Sequence, residues 1–341
     1  MGRKTKQNHI TTPELIAQIN PENARLVKDY LTYLRSMNRS DTTIEAYKSD
    51  LDIFFVWVLL NANNKFFIDI TKRDLVSYQN WLINENENSP ARVRRLKAVI
   101  SSLSNYIENI LDDEYPNYRS IVKKIENPVN TPVRAKTVLD ESDCNNLLNK
   151  LVELGEYQKA CMFALAMASG RRKSELVRFK VSYFDDSNVV YGSLYRTPEK
   201  VKSKGRGKQG KLLHFYVLVK QFKPYFDLWM QERERLGIKS EWLFPDPDDA
   251  TQHLSAQTLN SWAKTFSAIL GVDFYWHSMR HHYTTYLSEQ GIPDNVIQEI
   301  LGWFDISLVS VYRDTDVVSE IGKYFCDGEI VSKETIDMRN L

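Results

Sequence analysis

The chain has 341 residues, enough for about two domains, with 43% hydrophobic and 26% charged residues and a formal net charge of +1. Real cores are therefore affordable, but so small a net charge gives no overall pull toward nucleic acid, and any basic surface must come from local segregation of charge. The polar, basic N-terminus has no signal-peptide run, and no stretch approaches the ~20 apolar residues of a membrane span. Cys144, Cys161 and Cys326 are odd in number and far apart, which suggests neither a disulfide framework nor a zinc site. A cytoplasmic protein with no membrane association is the expectation.

Residues 1–20 read as a flexible basic lead. Leu26, Tyr30, Leu31, Tyr33 and Leu34 then recur at helical spacing over 21–37, and Asn38-Arg39-Ser40 breaks the pattern. The next helix opens with Thr42 and, three residues later, Glu45, the spacing of a capping box. A third helix follows Thr71, and a fourth starts at Ser89-Pro90. Together they form a four-helix unit over 21–126. Two prolines and two asparagines with little apolar content make 127–138 a linker.

The second unit, 139–341, carries helical patterns over 141–154 and 157–168. The strand-like runs "SNVVYGSLYRT" and "KLLHFYVLV" flank a Gly/Lys-rich turn and predict a β-hairpin. Helical patterns resume at 220–235, 255–270, 277–290, 294–301 and 307–312. The fold class is mainly α with a small antiparallel β-sheet.

Four stretches could carry chemistry. In the first, Gly170 is followed by Arg171 and Arg172, with Glu175 three residues after Arg172. An arginine at a chain reversal can hold an oxyanion through its fork, with Glu175 orienting it; a helix start with solvated charges is the bland alternative. In the second, the hairpin turn 196–211 holds Arg196, Lys200, Lys202, Lys204, Arg206, Lys208 and Lys211 against Glu199 alone. Such a loop suits a phosphate backbone, or is simply solvated. Arg92, Arg94, Arg95 and Lys97, on helical faces away from Val93, Leu96 and Val99, are a second candidate phosphate surface. In the third, His277, Arg280 and His281 share one helical face. A zinc site would need further ligands, yet the nearest downstream acid is Glu289. Arginine and histidine converging on an anion fits better: one neutralises charge and the other handles a proton. In the fourth, Leu301-Gly302 ends a helix, Trp303 follows, and Tyr312 closes an apolar run. A lone tyrosine on an amphipathic helix is ordinarily core.

Taken in order, Arg172, Lys204, His277, Arg280, Trp303 and Tyr312 resemble the tyrosine recombinase (phage integrase) family, over nearly the whole chain. Gly170-Arg171-Arg172-Lys173-Ser174-Glu175 matches the pattern G-x-R-x-S-E, and His277-Ser278-Met279-Arg280-His281 resembles H-x-L-R-H. Leu301-Gly302-Trp303 precedes Tyr312 by the family's nine-residue interval. Trp303 stands where histidine is more common; its indole can donate a hydrogen bond but cannot shuttle a proton. Lys204 is the best match to the family's hairpin lysine, with Lys202 and Lys208 as alternatives.

The resemblance implies DNA cleavage and rejoining through a 3′-phosphotyrosyl link, with no cofactor, metal or ATP. Tyr312 would be the nucleophile, Arg172 and Arg280 the phosphate clamp, His277 the proton acceptor and Lys204 the proton donor to the leaving oxygen. Glu175 and His281 would support them. Arg92, Arg94, Arg95, Lys97, Lys202, Arg206 and Lys208 would contact DNA. The implied partner is double-stranded DNA with an inverted-repeat core site. The protein would be a monomer in free solution and a homotetramer on two duplexes, with accessory DNA-bending or directionality proteins. The first helical unit would be a SAM-like core-binding domain. Residues 316–325 pattern as an amphipathic helix, and the tail would dock in a neighbouring protomer. The basic lead and the tryptophan favour a mobile-element enzyme over a chromosome-dimer resolvase. A complete set of catalytic groups argues against an idle DNA-binding regulator.

Overall fold

The computed structural model describes residues 10–129, 139–205 and 210–313 and the short strands at 325–326 and 329–330. The chain divides into two compact units, one of residues 2–135 with 204–210 and the other built from 136–203 and 211–341. Helices dominate both, and every sheet is small and antiparallel.

Among the described residues of the first unit five α-helices run in order: α1 (Pro13–Ile16), α2 (Pro21–Ser36), α3 (Asp41–Asn61), α4 (Lys72–Asn80) and α5 (Pro90–Ile110). Most of the starts are written in the sequence. Thr71 and Asp74 cap α4 reciprocally, and Ser89 caps α5 with proline at the first position. For α3 the cap is Ser40, which accepts from the Thr43 amide. The expected Thr42–Glu45 box is not used, because the helix is already under way at Asp41. The lead is also shorter than its composition suggests: Thr12 caps α1 and Ile19 is buried against the core. Phe54 meets Phe55, Phe67 and Tyr78 edge-on, and α5 adds Val93, Leu96, Leu103 and Ile107. Burying a side chain of this size contributes about 1.5–3 kcal/mol. Residues 1–9 and most of the expected linker, 130–138, lie outside the described residues.

In the second unit α6 (Glu141–Glu153) and α7 (Tyr157–Ser169) lead to a short α8 (Lys173–Leu176). Ala160 through Ser169 are all buried, so α7 is the central rod; it packs against α6 and the later helices α9 (Val219–Arg235) and α11 (Ser278–Glu289). Between α8 and α9 the expected single hairpin is two ladders. Strands β1 (Val189–Val190), β2 (Leu194–Arg196) and β5 (Tyr216–Leu218) form one sheet, and β3 (Val201–Ser203) pairs with β4 (Lys211–Leu213). The break lies at Thr197-Pro198. Thr197 Oγ1 accepts from the Phe215 amide at 3.0 Å and donates to the Glu199 carbonyl at 2.8 Å. Proline has no amide to continue the ladder.

After α10 (Thr258–Leu270) come α11, α12 (Asp294–Leu301) and α13 (Ser307–Tyr312). Tyr283, Leu287, Ile297, Leu301, Trp303 and Val309 make a satellite core of their own, with Tyr312 packed on it. Within the expected tail helix, Phe325 instead begins β6 (Phe325–Cys326), which pairs with β7 (Glu329–Ile330). The rest of the tail, and with it the expected docking helix, lies outside the described residues. No helix among the described residues is long and apolar enough to cross a membrane.

Candidate active site

The site gathers at the open end of α11. His277 occupies the N-cap position of that helix and Arg280 and His281 lie one turn on, so all three side chains leave the same end. Arg280 points inward and is fully buried. Its Nη1 donates to the Gly170 carbonyl at the end of α7, and its Nη2 to the Leu301 carbonyl at the end of α12, each at 3.0 Å. Gly170 has φ +57°, and a Cβ there would sit 2.6 Å from the Tyr283 ring, so the turn delivering that carbonyl requires glycine.

Two residues after Gly170, Arg172 occupies the N-cap position of α8 in an extended conformation. Its Nη1 donates to Glu175 Oε1 at 3.0 Å, and its amide to Glu175 Oε2 at 3.1 Å. Ser203 Oγ, at the end of β3, donates to Glu175 Oε1 at 2.7 Å. Glu175 is fully buried. Burial pushes its carboxyl up, but Arg171, the Ser203 hydrogen bond and Arg172 together outweigh burial and hold it below its usual range.

Tyr312 ends α13 half-buried among these groups. Its hydroxyl lies 2.8 Å from His277 Nε2. The His281 ring lies 4.6 Å from the tyrosine ring and Trp303 4.8 Å. The Arg280 guanidinium stands 4.9 Å from the Trp303 centroid and 5.9 Å from that of Tyr312. The Trp303 indole N–H is buried with no hydrogen-bond partner among the described residues. Beyond the tyrosine, Arg313 ion-pairs with Asp294 and donates to Ser288 Oγ at 3.0 Å, fastening the end of α13 to α11 and α12.

Electrostatically the site has a surplus of positive charge. Burial, followed by repulsion from Arg172 and Arg171, pushes Arg280 down to about 9. Burial pushes Arg171 down to about 10, with Glu175 opposing. Three guanidinium groups thus face one carboxylate among the charges acting on Arg280. A buried guanidinium without its own counter-ion costs several kcal/mol. An anion entering the site would recover that cost and restore the ordinary arginine range.

Of the residues singled out from the sequence, Arg172, Glu175, His277, Arg280, His281, Trp303 and Tyr312 come together here. Lys204 is exposed and directly follows Ser203, the residue bonded to Glu175. Lys202 is exposed on β3, and its carbonyl accepts from Arg178. Arg206 and Lys208 lie outside the described residues. On α5, Arg92 and Arg95 pair with the buried Asp50 at 2.7 and 3.3 Å, an acid from α3 that the local sequence does not reveal. Arg94 Nε donates to the Pro128 carbonyl. Lys97 departs from its expected place on a phosphate-facing surface. It is buried, and its ammonium donates to Gln79 Oε1 and to the Ile125 and Glu126 carbonyls at 2.7–3.0 Å. Burial pushes that ammonium down. Among the described residues no cluster of His, Cys, Asp or Glu could hold a metal ion. Arg171, passed over as a neighbour of Arg172, is the buried addition to the site; the only signal for it is the Arg-Arg doublet after a glycine.

Two family models match the chain: the Phage integrase family over residues 137–317 and the Phage integrase N-terminal SAM-like domain over 26–117. The SPbeta prophage-derived recombinase-like protein YomM of Bacillus subtilis (strain 168) is 31% identical over 288 residues, 82% of either chain. Tyrosine recombinase XerD of Vibrio cholerae is 26% identical over 292 residues, covering 82% of this chain and 87% of that protein. Among solved structures, a lambda integrase tetramer bound to a Holliday junction aligns with a TM-score of 0.61 at 18% identity, over 92% of this chain and 82% of that one. The post-cleavage complex of XerH site-specific recombinase on palindromic difH substrate also gives 0.61 at 18% identity, over 83% and 79%. At such identities the likeness to the solved structures is one of fold.

Proposed function

The chain belongs to the phage integrase family, that of the tyrosine recombinases, and on that footing we propose that it is a site-specific DNA recombinase acting through a covalent 3′-phosphotyrosyl intermediate. The observation that carries this reading is the 2.8 Å contact between Tyr312 Oη and His277 Nε2 beside a buried surplus of arginine charge. A phenol ionises near pH 10, so it must lose its proton as it attacks. In this mechanism the Tyr312 oxygen bonds to the scissile phosphorus, the phenol proton passes to His277, and the P–O5′ bond breaks. Lys204 gives the leaving 5′-oxygen its proton. Arg172 and Arg280 hold the non-bridging oxygens, whose charge grows in the transition state, without reorganising. The Trp303 indole N–H is a further donor. The 5′-hydroxyl of a second duplex reverses each step, and the phosphotyrosyl bond conserves the energy of the one it replaced.

The DNA partner and a tetrameric synapse are supported by likeness to a family fold solved as a tetramer on a junction. For biological role, the 31% identity to a prophage-derived recombinase-like protein supports integration or excision of a mobile element. Resolution of chromosome dimers is the alternative, supported by the XerD relatives. Lys202, Arg206 and Lys208 would serve the phosphate backbone from the hairpin, as would Arg92, Arg94 and Arg95 from α5.

The test is a nicked suicide duplex chosen by binding selection. The native chain should form a covalent protein–DNA adduct, without added metal, and Tyr312→Phe should form none. An adduct that persists in Tyr312→Phe would sink the reading.

A further inference from the structure

An α-helix leaves its last four carbonyls without intrahelical partners. In α12 these belong to Gln298, Glu299, Ile300 and Leu301. The Gln298 carbonyl accepts the Trp303 amide at 3.0 Å, and that of Glu299 the Gly302 amide at 3.1 Å. Arg280 takes Leu301. Arg171 Nη2 takes Ile300. Two buried cations therefore sit on consecutive carbonyls at the negative end of one helix, where positive charge is favoured. The next residues in the chain are Gly302 and Trp303, and α13 with Tyr312 follows.

We propose that Arg171 is a positioning residue for strand cleavage, capping α12 from inside the fold and so fixing the segment that presents Trp303 and Tyr312. The inference rests on Tyr312 being the nucleophile. Arg171 is 1% exposed, and its guanidinium lies 4.1 Å from the centroid of the buried Phe215 ring, which holds the planar group in place. It follows Gly170, whose carbonyl serves Arg280, and precedes Arg172, which pairs with Glu175. Three consecutive residues thus reach three parts of the site, and of the three only Arg171 bonds to α12. Glu175 is the strongest opposing charge on it. The hydrogen bond of Arg171 goes to the Ile300 carbonyl, so its effect on Tyr312 passes through the backbone of residues 300–303.

The test compares Arg171→Met and Arg171→Lys with the native chain in three measurements. These are single-turnover adduct formation on the nicked duplex at saturating DNA, the affinity for intact duplex, and the fluorine resonance of 3-fluorotyrosine placed at 312. Misplacing a reacting group by about 1 Å costs on the order of 10²-fold. Arg171→Met should slow adduct formation by roughly 10- to 100-fold, change DNA affinity by less than about threefold, and shift the fluorine line toward that of free fluorotyrosine. Arg171→Lys, which keeps a cation but not the flat fork, should fall between in rate and shift. An adduct rate within twofold of native and an unmoved fluorine line in folded Arg171→Met would overturn the inference. Should that variant fail to fold, the fluorine line of Arg171→Lys decides: displaced supports, unmoved overturns. Tyr312→Phe run alongside keeps the two ideas apart, since its failure to abolish the adduct removes the functional reading and not merely the role of Arg171.

Discussion

On α5, Arg92 and Arg95 lean on the buried carboxylate of Asp50, and Lys97 is absorbed by backbone carbonyls. Around Gly170, by contrast, Arg171, Arg172 and Arg280 face the one carboxylate of Glu175, and two of the three guanidinium groups are buried. The two clusters look alike in sequence, as arginines between apolar residues. Each cluster sets three cations against one carboxylate, but on α5 both arginines reach solvent and the buried Lys97 is met by neutral oxygens, whereas around Gly170 two of the three guanidinium groups are buried. A cluster whose arginines reach solvent holds a fold together at little electrostatic cost. An overcharged buried one costs stability and is retained where an anion must be received.

The contrast can be broken by mutation. The largest effect is expected from Arg172→Ala and Arg280→Ala, each of which should slow adduct formation by at least about 10²-fold, the cost of one lost charge-stabilising donor. Arg92→Ala or Arg95→Ala should leave the chemical rate at saturating DNA unchanged, and a comparable loss there would erase the distinction. Next in size, Asp50→Asn leaves two arginines without their counter-ion. Solvent reaches both, so urea titration should find a loss of only about 1–2 kcal/mol, with DNA affinity retained. The arginines themselves are tested by salt. If each meets a phosphate, removing it lowers the slope of log affinity against log salt by about 1; an unchanged slope would leave α5 with a structural role only. The smallest effect concerns acid. Glu175 is held below its ordinary value of 4.5, so its ion pairing stabilises the fold above that pH. The contribution is lost as pH falls through the folded value. Glu175→Gln should therefore flatten the stability profile on its acid limb below about pH 4.5, and an unchanged limb would count against a paired Glu175.

Much of this was readable in the residues. The helices of both units follow their apolar spacing, and Thr71 and Ser89 announce their helices because capping is a local exchange of hydrogen bonds. Arg172, His277, Arg280 and Tyr312 stand out by motif, and the structure brings them together. What local pattern could not supply was pairing over distance. Nothing near Lys97 says that its ammonium meets carbonyls 28 and 29 residues away, and Asp50 lies on a different helix from the arginines it holds. The hairpin divides because Thr197 competes for backbone partners in a run whose composition reads as continuous strand. Pattern alone does not separate Arg171 from Arg172, although adjacent residues on an extended segment diverge. The doublet reads as one feature, yet its members serve opposite sides of the turn.

Position 170 carries a genetic consequence. One extra methyl there meets a ring that has nowhere to retreat: Tyr283 is fully enclosed, and it lies three residues beyond Arg280 on the same helix. Relief of the collision must drag Arg280 with it. Gly170→Ala is thus expected to behave as a conditional allele, with a protein that accumulates at low growth temperature yet recombines poorly, and that disappears on warming. Suppressors should map to a smaller residue at 283 rather than to the DNA-facing surface.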